Sequence, residues 1–384
     1  MKKVLIVLSC LLLCACSSSK QQKKEHPETK ESQQSEQRND ADVSFLAVGD
    51  NLIHDAVYDD PYCKTNQGWD YTGIYEHTKD MIQAADIANI NQETILGGRD
   101  MGLSNYPSFN SPHEFADALT SVGFDWVSQA TNHCLDMGED GILSDLNYWD
   151  KYKGEVITTG INRTQEERNT ARIIEKNGMK IGLLNYTYGT NGYVVPDGKN
   201  YLVNYIDKTQ ISKDIQQLED QKVDVIVASM HWGNEYSFEE SQEQKDLAQF
   251  LSDAGVRVII GSHPHVIEPA EYITSKDGEK TLVYYSLGNF ISAQDVTYAM
   301  LGGMAAFDLH LDGKNGKVSI QNAKFYPTVT HFEANMTHFK TYLLKDYTED
   351  IATTHYLSSL TKQYLVDLCN GVMGQPDQIE IVYE

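Results

Sequence analysis

The chain reads as an α/β layered protein. Three observations predict this. Strand-like runs alternate with helical patterns from Asp42 to about residue 330, a β-branched run at 256–260 stops at Gly261, and five such runs end in polar residues of metal-ligand type.

Taken in order, residues 43–48 form a strand pattern ending in Gly49-Asp50-Asn51, and 74–85 a helical one. Residues 86–90 read as a strand ending in Asn91-Gln92-Glu93, 112–122 as a helix, and 124–130 as a strand ending in Thr131-Asn132-His133. A helix at 141–151 and a short strand at 156–159 follow. Asn177-Gly178 sits between two strand-like runs, a strong signal for a two-residue hairpin turn. A helix at 211–219 precedes an apolar strand at 223–229, which leads into His231-Trp232-Gly233-Asn234-Glu235. The helix at 243–253 leads to the run 256–260 and then Gly261-Ser262-His263-Pro264-His265. Beyond a hairpin around Lys276-Asp277-Gly278, a strand reaches Ser286 and Gly288-Asn289-Phe290. Residues 304–311 and 318–326 read as closing strands, and 331–384 as a separate helical extension with a helix near 356–368.

The amino terminus has its own logic. Lys2 and Lys3 precede an apolar run at 4–13, too short for the ~20 residues of a membrane-spanning helix and typical of an export signal. Leu13-Cys14-Ala15-Cys16 resembles the bacterial lipobox, which implies cleavage after residue 15 and lipidation of Cys16. Residues 16–41 are polar without apolar periodicity and are expected to form a disordered tether holding the domain at 42–330 off a membrane. The expected location is therefore extracytoplasmic and membrane-anchored, in a bacterial envelope.

Composition excludes some functions. Lys and Arg number 31 against 55 Asp and Glu, a net charge of −24, which disfavours nucleic acid as a partner. An anionic substrate would need to be met locally, and bound cations are the obvious means. Past the signal only Cys63, Cys134 and Cys369 remain, too few for a disulfide framework, although one bridge such as Cys63 to Cys369 stays open.

The strand ends carry the chemistry. In open α/β sheets ligands gather beyond the carboxyl ends of strands, so Asp50, Glu93, Asn132, His133, His231, His263 and His265 are expected to converge. Imidazoles, carboxylates and an amide oxygen suit borderline divalent metals, and Glu93 is of the type that bridges two ions. If residues 263–265 stay extended, the two histidines leave opposite faces and serve two neighbouring ions.

Gly49-Asp50, Asn91-Gln92-Glu93, Thr131-Asn132-His133, His231-Trp232-Gly233-Asn234-Glu235, Gly261-Ser262-His263-Pro264-His265 and Ser286-Leu287-Gly288-Asn289-Phe290 resemble the motif series of the CapA/PgsA family. These are capsule and poly-γ-glutamate synthesis proteins related to calcineurin-like metallophosphoesterases. The resemblance runs from Asp42 to Thr330 and implies a four-layer αββα sandwich. It implies two divalent ions (Mn, Fe or Zn): Asp50 and His265 on one, Asn132, His231 and His263 on the other, and Glu93 between them. His133 would stand outside the ligand shell as a catalytic group, with Glu235 and Asn289 behind the ligands or facing substrate. Metallophosphoesterases place a histidine two residues after the first aspartate, where this chain has Leu52. The first ion is then weak, absent, or completed by water or by His54. Two functions follow from the resemblance. One is a metal-dependent hydrolase or transferase acting in the envelope. The other is a non-catalytic organiser of polymer synthesis and export proteins, in contact with an anionic polymer.

Overall fold

The computed structural model describes residues 38–383; the signal, the lipobox cysteine Cys16 and most of the tether lie outside them. Two sheets form the centre. The larger runs in the order Thr337–Leu343, Lys317–Glu333, Leu301–Asp312, Ala41–Asn51, Ile87–Gln92, Trp126–Ser128, Ile157–Thr159, with Asn289–Ile291 beside Ala41–Asn51. The smaller runs Ala270–Thr274, Lys280–Tyr284, Val258–Ser262, Val225–His231, Met179–Thr187, Arg172–Lys176.

Side-chain alternation along the strands builds the layers. Ile181, Leu183, Val225, Val227, Val258 and Ile260 of the smaller sheet share one core with Val43, Phe45, Trp126 and Phe307 of the larger. The intervening residues Leu184, Tyr186, Ile226, Ala228 and Ile259 face outward, where Ile211, Ile215, Leu218, Leu247 and Leu251 of the helices Lys208–Asp220 and Gln242–Asp253 cover them. Helices Glu114–Val122 and Gly138–Trp149 bury apolar faces of their own, completing a four-layer αββα sandwich. The helix at 242–253 begins with a full capping box, Ser241 and Gln244 each satisfying the other's backbone N–H.

The strand Ala41–Asn51 runs parallel to Ile87–Gln92, and Trp126–Ser128 follows in the same sense. In the second sheet Met179–Thr187, Val225–His231, Val258–Ser262 and Lys280–Tyr284 are also mutually parallel. Every expected ligand therefore lies at a carboxyl end of this parallel set or in the loop just beyond.

Two boundaries differ from the sequence reading. Order begins before Asp42: the Arg38 guanidinium pairs with Asp224 and donates to the Gly178 carbonyl, and Asp40 accepts from the Gly313 N–H. The region 331–384 is not a detached helical extension. The strand Lys317–Glu333 runs through residue 330 and pairs with Thr337–Leu343, so Thr330 faces Thr341 across the ladder. The helix that follows is Lys362–Met373, and its Leu365, Cys369 and Met373 join the main core. Cys63, Cys134 and Cys369 are all buried free thiols. Among the described residues no helix is long and apolar enough to cross a membrane.

Candidate metal centre

The loop after Val258–Ser262 does not stay extended. His263 and His265 adopt positive φ, 99° and 60°, on either side of Pro264. This left-handed turn brings both rings to the same side, 5.9 Å apart between centroids, instead of to opposite faces. Glu93, His263 and His265 then present ligand atoms that all lie within 4.8 Å of one another.

Glu93 is the centre of the arrangement. It is fully buried, and neither carboxylate oxygen meets a hydrogen-bond donor. Its Oε1 stands 3.8 Å from His231 Nε2 and 3.7 Å from His265 Nε2, between the two histidines. Burial pushes its carboxyl well above the usual range, opposed by His265. A carboxylate left this way costs several kcal/mol unless a proton or a cation compensates it. His263 Nδ1 is likewise buried without a partner.

The imidazoles are held in ligand-ready states. Burial, helped by neighbouring histidines, lowers His231 well below its ordinary value and His263 to about 3, so both stay neutral. His231 Nδ1 lies 3.0 Å from Ser262 Oγ, and its Nε2 is 2.9 Å from Asn132 Oδ1. With the proton on Nδ1, two acceptors face each other there, an arrangement that a shared cation resolves. His265 differs: burial opposes its charge, but Glu93 and Asp50 outweigh it and raise the ring to about 9.

Asp50 stands behind His265 and outside the group of three. Its oxygens accept from Asn91 Nδ2 at 2.9 Å and from the His263 N–H at 3.2 and 3.3 Å, and one lies 3.2 Å from His265 Nδ1. Asn289 Oδ1 reaches the same Nδ1 at 3.1 Å. Both therefore orient the ring so that Nε2 faces Glu93. His54 borders the centre with its Nδ1 held against backbone, 3.2 Å from the Leu52 carbonyl and 3.2 Å from the Ala293 N–H. Burial lowers it to about 4. Glu235 lies on the exposed loop after the His231 strand.

His133 is set apart from the ligand-type atoms, with Nδ1 2.7 Å from Asp136 Oδ2 and its ring edge-on to Phe109 at 4.7 Å. Asp136 also accepts from the Phe109 N–H at 2.7 Å. The sequence reading missed Asp136, although its position three residues after His133 was a usable signal. It also missed Tyr188, whose ring lies 4.6 Å from that of His263, and Ser262, the partner of His231.

Two glycines let the loops close on the site. A Cβ on Gly49 would stand 1.9 Å from the Gly288 carbonyl oxygen, and one on Gly261 1.8 Å from that of Tyr285.

Over residues 44–294 the chain matches the family described as bacterial capsule synthesis protein PGA_cap. It is 27% identical over 206 residues to the PGA biosynthesis protein CapA of Bacillus subtilis, covering 52% of this chain and 51% of that one. To the capsule biosynthesis protein CapA of Bacillus anthracis it is 24% identical over 285 residues, 72% of this chain and 66% of the relative. The chain thus spans between half and two thirds of the length of these relatives. Among solved structures it is similar to the calcineurin-like phosphoesterase YfkN of Bacillus subtilis (14% identity, TM-score 0.43, 87% of this chain and 97% of that one). It is also similar to a 5′-nucleotidase precursor of Thermus thermophilus (14% identity, TM-score 0.44, 86% and 58%).

Proposed function

The chain belongs to the PGA_cap family of bacterial capsule synthesis proteins, and from that premise we propose that it is an envelope-anchored, metal-dependent hydrolase or transferase of capsule or poly-γ-glutamate synthesis. The observation that carries the catalytic part is Glu93, buried with two unpartnered oxygens among three imidazoles. Core packing gives no reason for such a group, and a divalent cation does.

Glu93, Asn132, His231, His263 and His265 would hold the metal, with Asp50 and Asn289 fixing His265. A divalent ion there supplies polarisation of a phosphoryl or carbonyl oxygen and a lowered pKa for water. The chain's own contribution is orientation and proton movement. Asp136 accepts from His133 Nδ1 and fixes the ring, which leaves Nε2 as the atom that gives or takes a proton near the leaving group. The proposed anchor is Cys16, and the partners are the membrane and the proteins that make or export the polymer.

A second reading, a non-catalytic organiser of that machinery, is favoured by Leu52, a buried apolar residue where metallophosphoesterases carry a histidine. His133→Asn separates the two. If the protein is an enzyme, the variant keeps its metal and its fold but loses about 10²–10⁴-fold in turnover, and it fails to restore surface polymer in a deletion strain. Full complementation by a stable, metal-loaded variant would retire catalysis.

A further inference from the structure

Where edge strands of the two sheets come together, the surface opens into a cleft of about 300 Å³. Its walls come from the end of the helix Gly138–Trp149, from Ile157–Thr159 at the edge of the larger sheet, and from Arg172–Lys176 at the edge of the smaller. That volume lies at the lower end of the range for small-molecule sites. The strand Ile157–Thr159 runs parallel to Trp126–Ser128, and Asn132 and His133 follow the carboxyl end of the latter. Lys153 to Ile157 therefore border the cleft from the opposite, amino end, and no ligand-type residue of the metal centre lines it.

The charges around the cleft do not cancel. Lys153, Arg163 and Arg172 line it against Asp150 and Glu167, a surplus of one positive charge in a chain of net −24. Both carboxylates are taken by one cation. Arg163 donates to Asp150 at 2.6 and 2.9 Å through its two Nη atoms, and to Glu167 Oε1 at 2.9 Å through Nε. It also donates to Asn147 Oδ1 at 3.1 Å, beside the negative end of the helix Gly138–Trp149. Lys153 and Arg172 are left over: among the described residues, no hydrogen bond or ion pair engages either side chain. Arg172 is half-buried, and burial lowers its pKa, with Glu167 opposing. A guanidinium withdrawn from water without acceptors is costly, and its fork of N–H groups fits two oxygens of one oxyanion. The remaining wall is apolar: Leu146, Trp149 and Val156, all buried, line it together with Ile157 and Ile173.

Two unpaired cations set in an apolar cleft suit an anion that carries an apolar body. We infer that this cleft is a second ligand site, independent of metal, for a small amphiphilic oxyanion. Its carboxylate or phosphate head meets the Arg172 fork and Lys153, and its apolar part lies against Leu146, Trp149 and Ile157. A neutral or cationic ligand would leave both cations unmatched, and a bare anion would leave the apolar wall in water.

The test is calorimetry in the presence of a chelator, so that no metal holds a phosphate. The probes are 3-phenylpropionate, phenyl phosphate, 3-phenylpropanol and propionate. At least one aromatic anion is expected to bind once per chain, about tenfold tighter than the alcohol or propionate, as one charge-assisted hydrogen bond allows. Lys153→Gln and Arg172→Gln should each weaken it by about tenfold, while Glu93→Gln leaves it unchanged. Lys153 is exposed, so its variant decides the matter even where Arg172→Gln fails to fold. Equal binding of phenylpropanol overturns the inference in favour of a plain apolar cleft, and equal binding of propionate overturns it in favour of a surface charge. No saturable binding of either aromatic anion overturns it outright. So does binding that Glu93→Gln abolishes and Lys153→Gln does not, which would place the probe at the metal centre instead.

Discussion

Glu93 illustrates how a single side chain can disclose a site. Its two oxygens face His231, His263 and His265 with no donor, so the metal-free protein must hold a proton there or bear the cost of a bare charge. Glu93→Gln should lower the metal content by at least one ion, measured by plasma mass spectrometry, with circular dichroism unchanged. Glu268 is a second buried carboxyl, and it lies outside the metal group. Burial pushes it up to about 8, although Gln244 Nε2 donates to it at 2.6 Å. The folded state then binds the extra proton between the ordinary carboxyl range and pH 8, so stability falls as pH rises through that window. Glu268→Gln should leave the melting temperature unchanged near pH 4 and raise it by a few degrees at pH 8. The ligand-type residues were legible in the sequence because each sits at a strand end. Their supports were not: Asp136, Ser262 and Tyr188 are ordinary residue types whose roles appear only once loops from different strands meet.

The histidine turn and the closing hairpin carry the lessons at the scale of elements. Sequence alternation assigns His263 and His265 to opposite faces, but positive φ at both overrides it and aims both rings at Glu93. That geometry needs the backbone of 261 close to Tyr285, so Gly261→Ala should cost more than ~3 kcal/mol and appear as a large loss of melting temperature or of soluble protein. Unchanged melting would show that the approach is looser than described. The strand Thr337–Leu343 buries Phe339, Thr341 and Leu343 in alternation, a strand signal that was present in the sequence but masked by the buried polar residues Thr330, His331 and Thr341. Truncation after Thr330 should therefore abolish cooperative unfolding, since it removes a paired strand and exposes the core around Phe325 and Phe332. The alternation of helices and parallel strands was readable throughout, because the inner strands are continuous apolar runs.

For the whole molecule, a net charge of −24 surrounds a cluster of the residue types that hold divalent cations. The acidic surface keeps polyanions away except where a bound cation would receive them. Anchoring through Cys16 would bring this centre to the outer face of a membrane. Cys16→Ala should move the protein from the membrane to the soluble fraction, and mass spectrometry of the wild type should show an acylated mature terminus. An unmodified Cys16 would contradict the anchor without touching the site.

The most direct measurement is metal stoichiometry with anomalous diffraction on the same protein, reconstituted in turn with manganese, iron and zinc. At least one ion per chain is expected, with an anomalous peak between Glu93, His263 and His265, and that peak should vanish in Glu93→Gln. Wild-type protein that stays metal-free after all three reconstitutions would contradict the account.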